Sequence, residues 1–187
     1  MDRRPRFLGV PTLKNPLDLW IFQEILWDKR PDLILEAGTA YGGSALYLAT
    51  ILDAIGAGRV ITVDMRDRDR PPPPHPRITY LRGRSTDPEI LEAMRPAAEA
   101  AMVILDSGHH KDHVLDELRS YSPYVSSGQY LVVEDTNLNG NPIRPDYGPG
   151  PMEAVDEFLS ETGDFEVDRS RERFDVTSNP RGYLLRR

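Results

Sequence analysis

Apolar residues in this chain fall into two patterns, a helical spacing and short continuous runs. Leu17, Trp20, Ile21, Ile25 and Leu26 fall three or four apart, the period of one helix face. Asn15 stands where an N-cap side chain accepts a backbone N–H, and Pro16 where a missing N–H costs nothing. Pro31 ends this run. Leu46, Leu48, Ile51, Leu52 and Ile55 mark a second helix from Ser44 to Ile55, closed by Gly56 and Gly58. Val114, Leu115, Leu118 and Tyr121 predict a third, with Asp112 as the expected N-cap, and Met152 to Leu159 a fourth.

Between the helices lie short continuous apolar runs: LILEAG (33–38), VITVD (60–64), ITYL (78–81), MVILD (102–106) and YLVVED (130–135). They are too short for helices and read as buried strands. Strands alternating with helices predict a mostly parallel sheet covered on both faces. The C-terminal end differs: FEVDRS (165–170) and GYLLRR (182–187) flank the turn signal NPRG with no helix between them, which predicts an antiparallel strand pair. The expected fold class is α/β and Rossmann-like, one unit in which an N-terminal helical segment (1–30) precedes the core (31–187). Trp20 and Trp27 read as core or interface residues. The segment from Met65 to Arg77 contains four consecutive prolines, which enforce an extended path with few hydrogen bonds. It reads as a surface connector, or as a lid, because it follows a strand's C-terminal end.

Composition narrows the partners. The net charge is -7 and no block of Lys or Arg exists, which argues against a nucleic-acid partner. With no cysteine, disulfides and thiolate chemistry are excluded. No window approaches the roughly 18 apolar residues of a membrane span, and the start MDRRPRFLGVPTL lacks the apolar stretch of a secretory signal. A soluble, cytoplasmic protein is expected.

Ligands in open parallel sheets bind beyond the carboxyl ends of the strands. Four of the five strand ends carry an acid at or beside the tip: Glu36, Asp64, Asp106 and the pair Glu134-Asp135. The glycine turn after the first strand lacks the lysine of a phosphate-cradling loop, and Ala40 stands where a dinucleotide fingerprint has its middle glycine. What remains is Glu36-x-Gly38-x-x-x-Gly42, which suits a nucleoside ligand without phosphates, with Asp64 able to accept two ribose hydroxyls. On the glycines alone, a plain strand-to-helix bend stands equally well.

Asp106, Glu134 and Asp135 are hard oxygen donors at neighbouring tips, the ligand type of magnesium. Neighbouring strand residues point to opposite faces, so Glu134 and Asp135 converge only if the strand ends there. The alternative is that Asp135 caps a turn and Glu134 pairs with an arginine. His109, with an unperturbed pKa near neutrality, is the candidate general base. His109 and His113 have zinc-like spacing, but an N-cap at Asp112 places His109 before the helix, and His110 and His113 read equally as surface or capping residues. The loop 137–150, with Arg144 and Tyr147, is either an acceptor-pocket wall or a plain connector.

LILEAGTAYGGSALYLA, GRSTDPEI, VILDSGHHKDHVLDELRSYSPYV, LVVEDTN and PDYGPGPMEAVDEFL together resemble the cephalosporin hydroxylase/rhamnosyl O-methyltransferase family, class I S-adenosylmethionine-dependent methyltransferases. The resemblance implies a seven-stranded methyltransferase sheet, S-adenosylmethionine and Mg2+ as cofactors, a small-molecule hydroxyl acceptor and a homo-oligomer. It implies that Glu36, Gly38, Thr39, Tyr41, Gly42 and Ser44 form the turn that cradles the methionine part and ribose. Asp64 is then the ribose acid, and Ser85 and Thr86 lie near the adenine. Asp106, Glu134 and Asp135 become the metal acids, with Asp106 and His109 at the reacting centre. Members often read Asp-Ser-Asp-His where this chain has Asp106-Ser107-Gly108-His109, so one acid is missing here. The implied activity is O-methylation of a small natural product or sugar. A hydroxylase-type or non-catalytic component of antibiotic tailoring is the alternative, disfavoured by the lack of an evident two-histidine, one-carboxylate iron set. A nicotinamide dehydrogenase is disfavoured by Ala40 and Glu36.

Overall fold

The computed structural model describes residues 5–66, 69–95 and 98–187; part of the Met65–Arg77 segment, residues 67 and 68, lies outside them. The chain opens with a small antiparallel hairpin, β1 (Arg6–Phe7) and β2 (Val10–Pro11), which local patterning does not reveal. Helix α1 (Pro16–Lys29) follows, with Asn15 Oδ1 accepting the Leu17 N–H at 3.0 Å, as its sequence predicts. The remaining elements are β3 (Leu33–Ala37), α2 (Gly43–Ile55), β4 (Arg59–Asp64), β5 (Ile78–Arg82), α3 (Pro88–Met94), β6 (Ala101–Leu105), α4 (Lys111–Tyr121), β7 (Tyr130–Val133), α5 (Pro151–Glu161), β8 (Phe165–Val167) and β9 (Tyr183–Arg186).

Strands β3 to β9 form one seven-stranded sheet in the order β5-β4-β3-β6-β7-β9-β8. The first five are mutually parallel, and β9 inserts antiparallel between β7 and β8. Alternation along the strands divides the core. Ile34, Val60, Ile104 and Val132 pack under α1 and α2, whereas Leu33, Leu35, Val103 and Leu131 pack under α3, α4 and α5. The α/β class, the seven strands and the antiparallel C-terminal pair are therefore as the sequence predicts.

Several local expectations are corrected. FEVDRS is a strand only through Val167, and residues 169–172 make a 3-10 turn, because Asp168 Oδ1 accepts the Ser170 N–H and caps it. Asp112 lies in the first turn of α4, and His110 holds the N-cap position. Of the core-or-interface reading of Trp20 and Trp27, the core half is corrected: both are exposed on α1, with the Trp20 indole N–H donating to Glu24. Helix α3 is too short to show a periodic signature and was not legible. The strand read as YLVVED stops at Val133, and Asp135 takes a left-handed backbone at φ 56°.

The candidate active site

Register explains how the strand tips meet. Ala37 pairs with Leu105, and Leu105 with Val133, so the next residues, Gly38, Asp106 and Glu134, fall in a row across the sheet edge. The ladder extends one step further, with Asp106 N–H donating to Ala37 O at 2.8 Å and Glu134 N–H to Leu105 O at 3.0 Å. This row lies where strand order reverses between β3 and β6, the place where open α/β sheets bind ligands. Gly38 is required there: a Cβ at its φ of 107° would lie 2.0 Å from Asp106 O. Its small size serves the approach of two strand tips.

A cavity of about 480 Å³ opens on this edge, lined among others by Gly38, Asp64, Ser85, Asp106, His109 and Asp135. A wider depression of about 650 Å³ lies at the opposite edge, by Asp32, Gly58 and Arg59, but gathers no comparable chemistry. In the first cavity, ligating atoms of Asp106, His109 and Asp135 all lie within 4.8 Å of one another, the one such group of three among the described residues. His109 Nε2 is 3.3 Å from Asp135 Oδ2. Asp135 is oriented by its own N–H, which donates to buried Asn179 Oδ1 at 3.0 Å.

Beneath the cavity sits a lysine that sequence reading did not single out. Lys14, 7% exposed, places Nζ 2.6 Å from Asp106 Oδ2 and 2.5 Å from Glu134 Oε1. The second contact is a close ion pair to the buried Glu134 Oε1 whose alignment is poorer than that of the first. The alternative that paired Glu134 with an arginine thus had the right charge and the wrong residue. The only hint of Lys14 in the sequence is indirect: several acids cannot share a buried edge without a cation. Burial works to lower the Lys14 pKa, but Asp106, Glu134 and Glu36 outweigh it and the net shift is upward. Burial pushes Glu134 well above the ordinary carboxylate range, with Lys14 opposing. Asp135 is raised first by burial and then by Asp106.

The glycine-turn residues divide into layers. Glu36, fully buried on the α2 side of β3, accepts Ser44 Oγ–H at 2.5 Å and Thr62 Oγ1–H at 2.6 Å. Thr39 Oγ1 is 2.7 Å from Thr62 Oγ1. These side chains form a support under the turn and do not line the cavity. Burial raises the Glu36 pKa against the pull of Lys14. Asp64, at the rim, accepts the Ala40 N–H at 2.9 Å and the Arg66 N–H at 2.8 Å. Ala40, with φ 47°, is held in its left-handed conformation by the first of these. Tyr41 lines a separate cavity of about 240 Å³ with Arg6 and Pro73. Gly42 packs under the proline segment: a Cβ there would lie 2.8 Å from Pro72, and Tyr80 O–H donates to Pro73 O at 2.7 Å. The prolines are thus fastened to the start of α2. Ser85 is buried and its carbonyl accepts Tyr121 O–H at 2.6 Å, while half-buried Thr86 is outside the cavity lining.

The histidines separate. His110 stacks on Tyr147 at 5.4 Å, and Arg144 lies 5.6 Å from the same ring. His113 turns to Glu117 and Ser107, its Nε2 2.8 Å from Ser107 Oγ, and the Glu117 hydrogen bond raises its pKa. The helix-face pair His109/His113 does not form. Gly108, at the missing acid, lies under the His113 ring, where a Cβ would be 2.9 Å from Cδ2.

The family model described as rhamnosyl O-methyltransferase/CmcI matches residues 2–187. A rhamnosyl O-methyltransferase of Mycobacterium tuberculosis is 40% identical over 189 residues, covering 96% of this chain and 77% of that protein. Among solved structures, a CmcI apo structure aligns with TM-score 0.76 at 25% identity, covering 97% of this chain and 76% of that one. A CmcI complex with Mg and SAM aligns with TM-score 0.78 at 24% identity, covering 98% and 76%.

Proposed function

The chain belongs to the rhamnosyl O-methyltransferase/CmcI family, and from this we propose that it is an S-adenosylmethionine- and Mg2+-dependent O-methyltransferase acting on a hydroxyl of a small natural product or sugar. The observation that carries the reading is convergence: one cavity of about 480 Å³ holds the nucleoside-type residues Gly38, Asp64 and Ser85 beside Asp106, His109 and Asp135. The donor set fits the metal. Magnesium prefers oxygen ligands and keeps several waters; Asp106 and Asp135 offer oxygens in the cavity, whereas Glu134, on the adjacent tip and paired with Lys14, stands outside the group of three formed with His109. The cavity fits the nucleoside, with the Asp64 carboxylate in its lining as the acceptor for a ribose diol.

Bound Mg2+ would supply a Lewis acid that fixes acceptor oxygens and lowers the pKa of the attacking hydroxyl; S-adenosylmethionine would supply the electrophilic methyl. The protein's own part is positioning and proton management. Asp64 and the Gly38 turn would hold the nucleoside so that the methyl faces the acids, and this alignment carries much of the rate. His109 Nε2, beside Asp135, would take the acceptor proton.

The test is isothermal titration with S-adenosylmethionine, with Mg2+ and then with chelator, paired with transfer of labelled methyl to a panel of rhamnosides and phenols. Cofactor binding that survives the chelator, with transfer that does not, is expected. No cofactor binding under either condition sinks the reading.

A further inference from the structure

The chemistry just described leaves Lys14 without a part, although its ammonium occupies the middle of the acid cluster. It bridges Glu134 Oε1 at 2.5 Å and Asp106 Oδ2 at 2.6 Å, and Asp106 belongs to the one group of three residues, among those described, whose ligating atoms could hold a metal ion. A dication and an ammonium cannot both sit between two oxygens, since like charges at such separations repel strongly. The contact with Glu134 is also imperfect. The charge is met, but the contact falls short of a well-aligned hydrogen bond, so the pairing is one that a small ion at that oxygen could replace.

We propose, resting on the methyltransferase reading of this site, that Lys14 is an internal competitor of the divalent ion: its ammonium ties Asp106 to Glu134 before metal arrives and leaves them when metal binds. The surroundings allow this. The four-carbon stem is flexible, and neighbouring Leu13 and Asp106 both line the open cavity, so space for the displaced ammonium adjoins its resting place. Lys14 also sits in the strap between β2 and α1. There Pro11 O and Thr12 Oγ1 crowd Gly43, each 2.3 Å from where a Cβ would stand. Metal loading would therefore be felt at the start of α2, beside the glycine turn.

Two measurements decide. Mn2+ binding is followed by electron paramagnetic resonance in the wild type and in Lys14→Met, which keeps the stem and removes the charge. The variant is expected to bind at least about tenfold tighter, as loss of one adjacent positive charge in a partly buried site implies. Acylation of the three lysines is followed by peptide mass spectrometry in the wild type, with Lys29 and Lys111 as internal references. Lys14 is expected to be protected without metal and to become several-fold more reactive at saturating Mg2+. A wild type that binds Mn2+ poorly while Lys14→Met binds it well also supports the competition. If the variant does not fold, the wild-type acylation decides alone. Equal or weaker Mn2+ binding by a folded variant overturns the proposal. So does a Lys14 whose reactivity ignores bound metal, or one already reactive without it. A titration with S-adenosylmethionine separates the two levels. Cofactor binding with no competition removes this inference only, whereas no cofactor binding removes the methyltransferase reading itself.

Discussion

Gly38→Ala puts a single methyl group where β3 and β6 converge. Its Cβ would stand 2.0 Å from Asp106 O and 2.5 Å from Asp106 C, both backbone atoms that no rotamer change can move away. Comfortable carbon contacts lie at about 3.5 Å or more, so the two tips must part by roughly 1.5 Å, carrying Asp106 away from Lys14 and Asp135. The φ of 107° adds a backbone penalty. Left-handed backbone costs an L-residue about 1–2 kcal/mol and overpacking about 1–3 kcal/mol, together about 2–5 kcal/mol. For a chain of this length each kcal/mol moves Tm by about 2–4 °C, so a fall of about 4–20 °C is expected, with weakened Mn2+ and S-adenosylmethionine binding. Gly148→Ala is the control. Gly148 has φ 87°, and nothing lies within 4 Å of where its Cβ would stand, so only the backbone penalty applies. Thermal unfolding by circular dichroism, with both titrations, reads the difference. A Gly38→Ala protein that melts with the Gly148→Ala control and binds both ligands normally would refute the argument that strand-tip proximity sets this glycine.

Three further outcomes are expected. Asp135→Ala should lower methyl transfer by at least about a hundredfold, the scale of lost electrostatic stabilisation, with S-adenosylmethionine affinity unchanged by calorimetry; loss of cofactor binding alone would contradict a metal-side role. Glu36→Ala should cost about 2–4 kcal/mol in urea unfolding, because Ser44 and Thr62 lose their acceptor and Lys14 loses one of three acids. An unchanged midpoint would show that the support under the turn is dispensable. Finally, His113 has a pKa above its usual 6.5 through its bond to Glu117, so its contribution to stability is full below 6.5 and is lost as pH rises through the folded value. His113→Gln should flatten that decline in denaturant midpoints measured from acid to mildly alkaline pH, and a parallel decline in both proteins would exclude the ion pair as its source.

What the sequence determined by itself is what local spacing carries. Short continuous apolar runs located the strands and period-3.6 patterns the long helices, because burial on both strand faces or along one helix stripe is written in consecutive residues. Strand tips were legible as well, and with them Asp64, Asp106 and the Glu134-Asp135 pair, since acids at the end of apolar runs stand out. The reach of such patterns is a few residues. Helix α3 is too short to repeat, and the β1–β2 hairpin has two residues in each strand, so neither left a signal. Only the tertiary structure decided how the tips are occupied. Lys14 meets Asp106 across 92 positions, and nothing near Lys14 in the chain marks it as buried. Its burial follows from where the hairpin and strap cross the sheet edge. The same holds for His113, which turned from His109 to Glu117, and for Gly38, whose need for a bare backbone comes from Asp106 on another strand. Periodicity assigns residues to elements and faces, while the partners of a charge are set by the path of the whole chain.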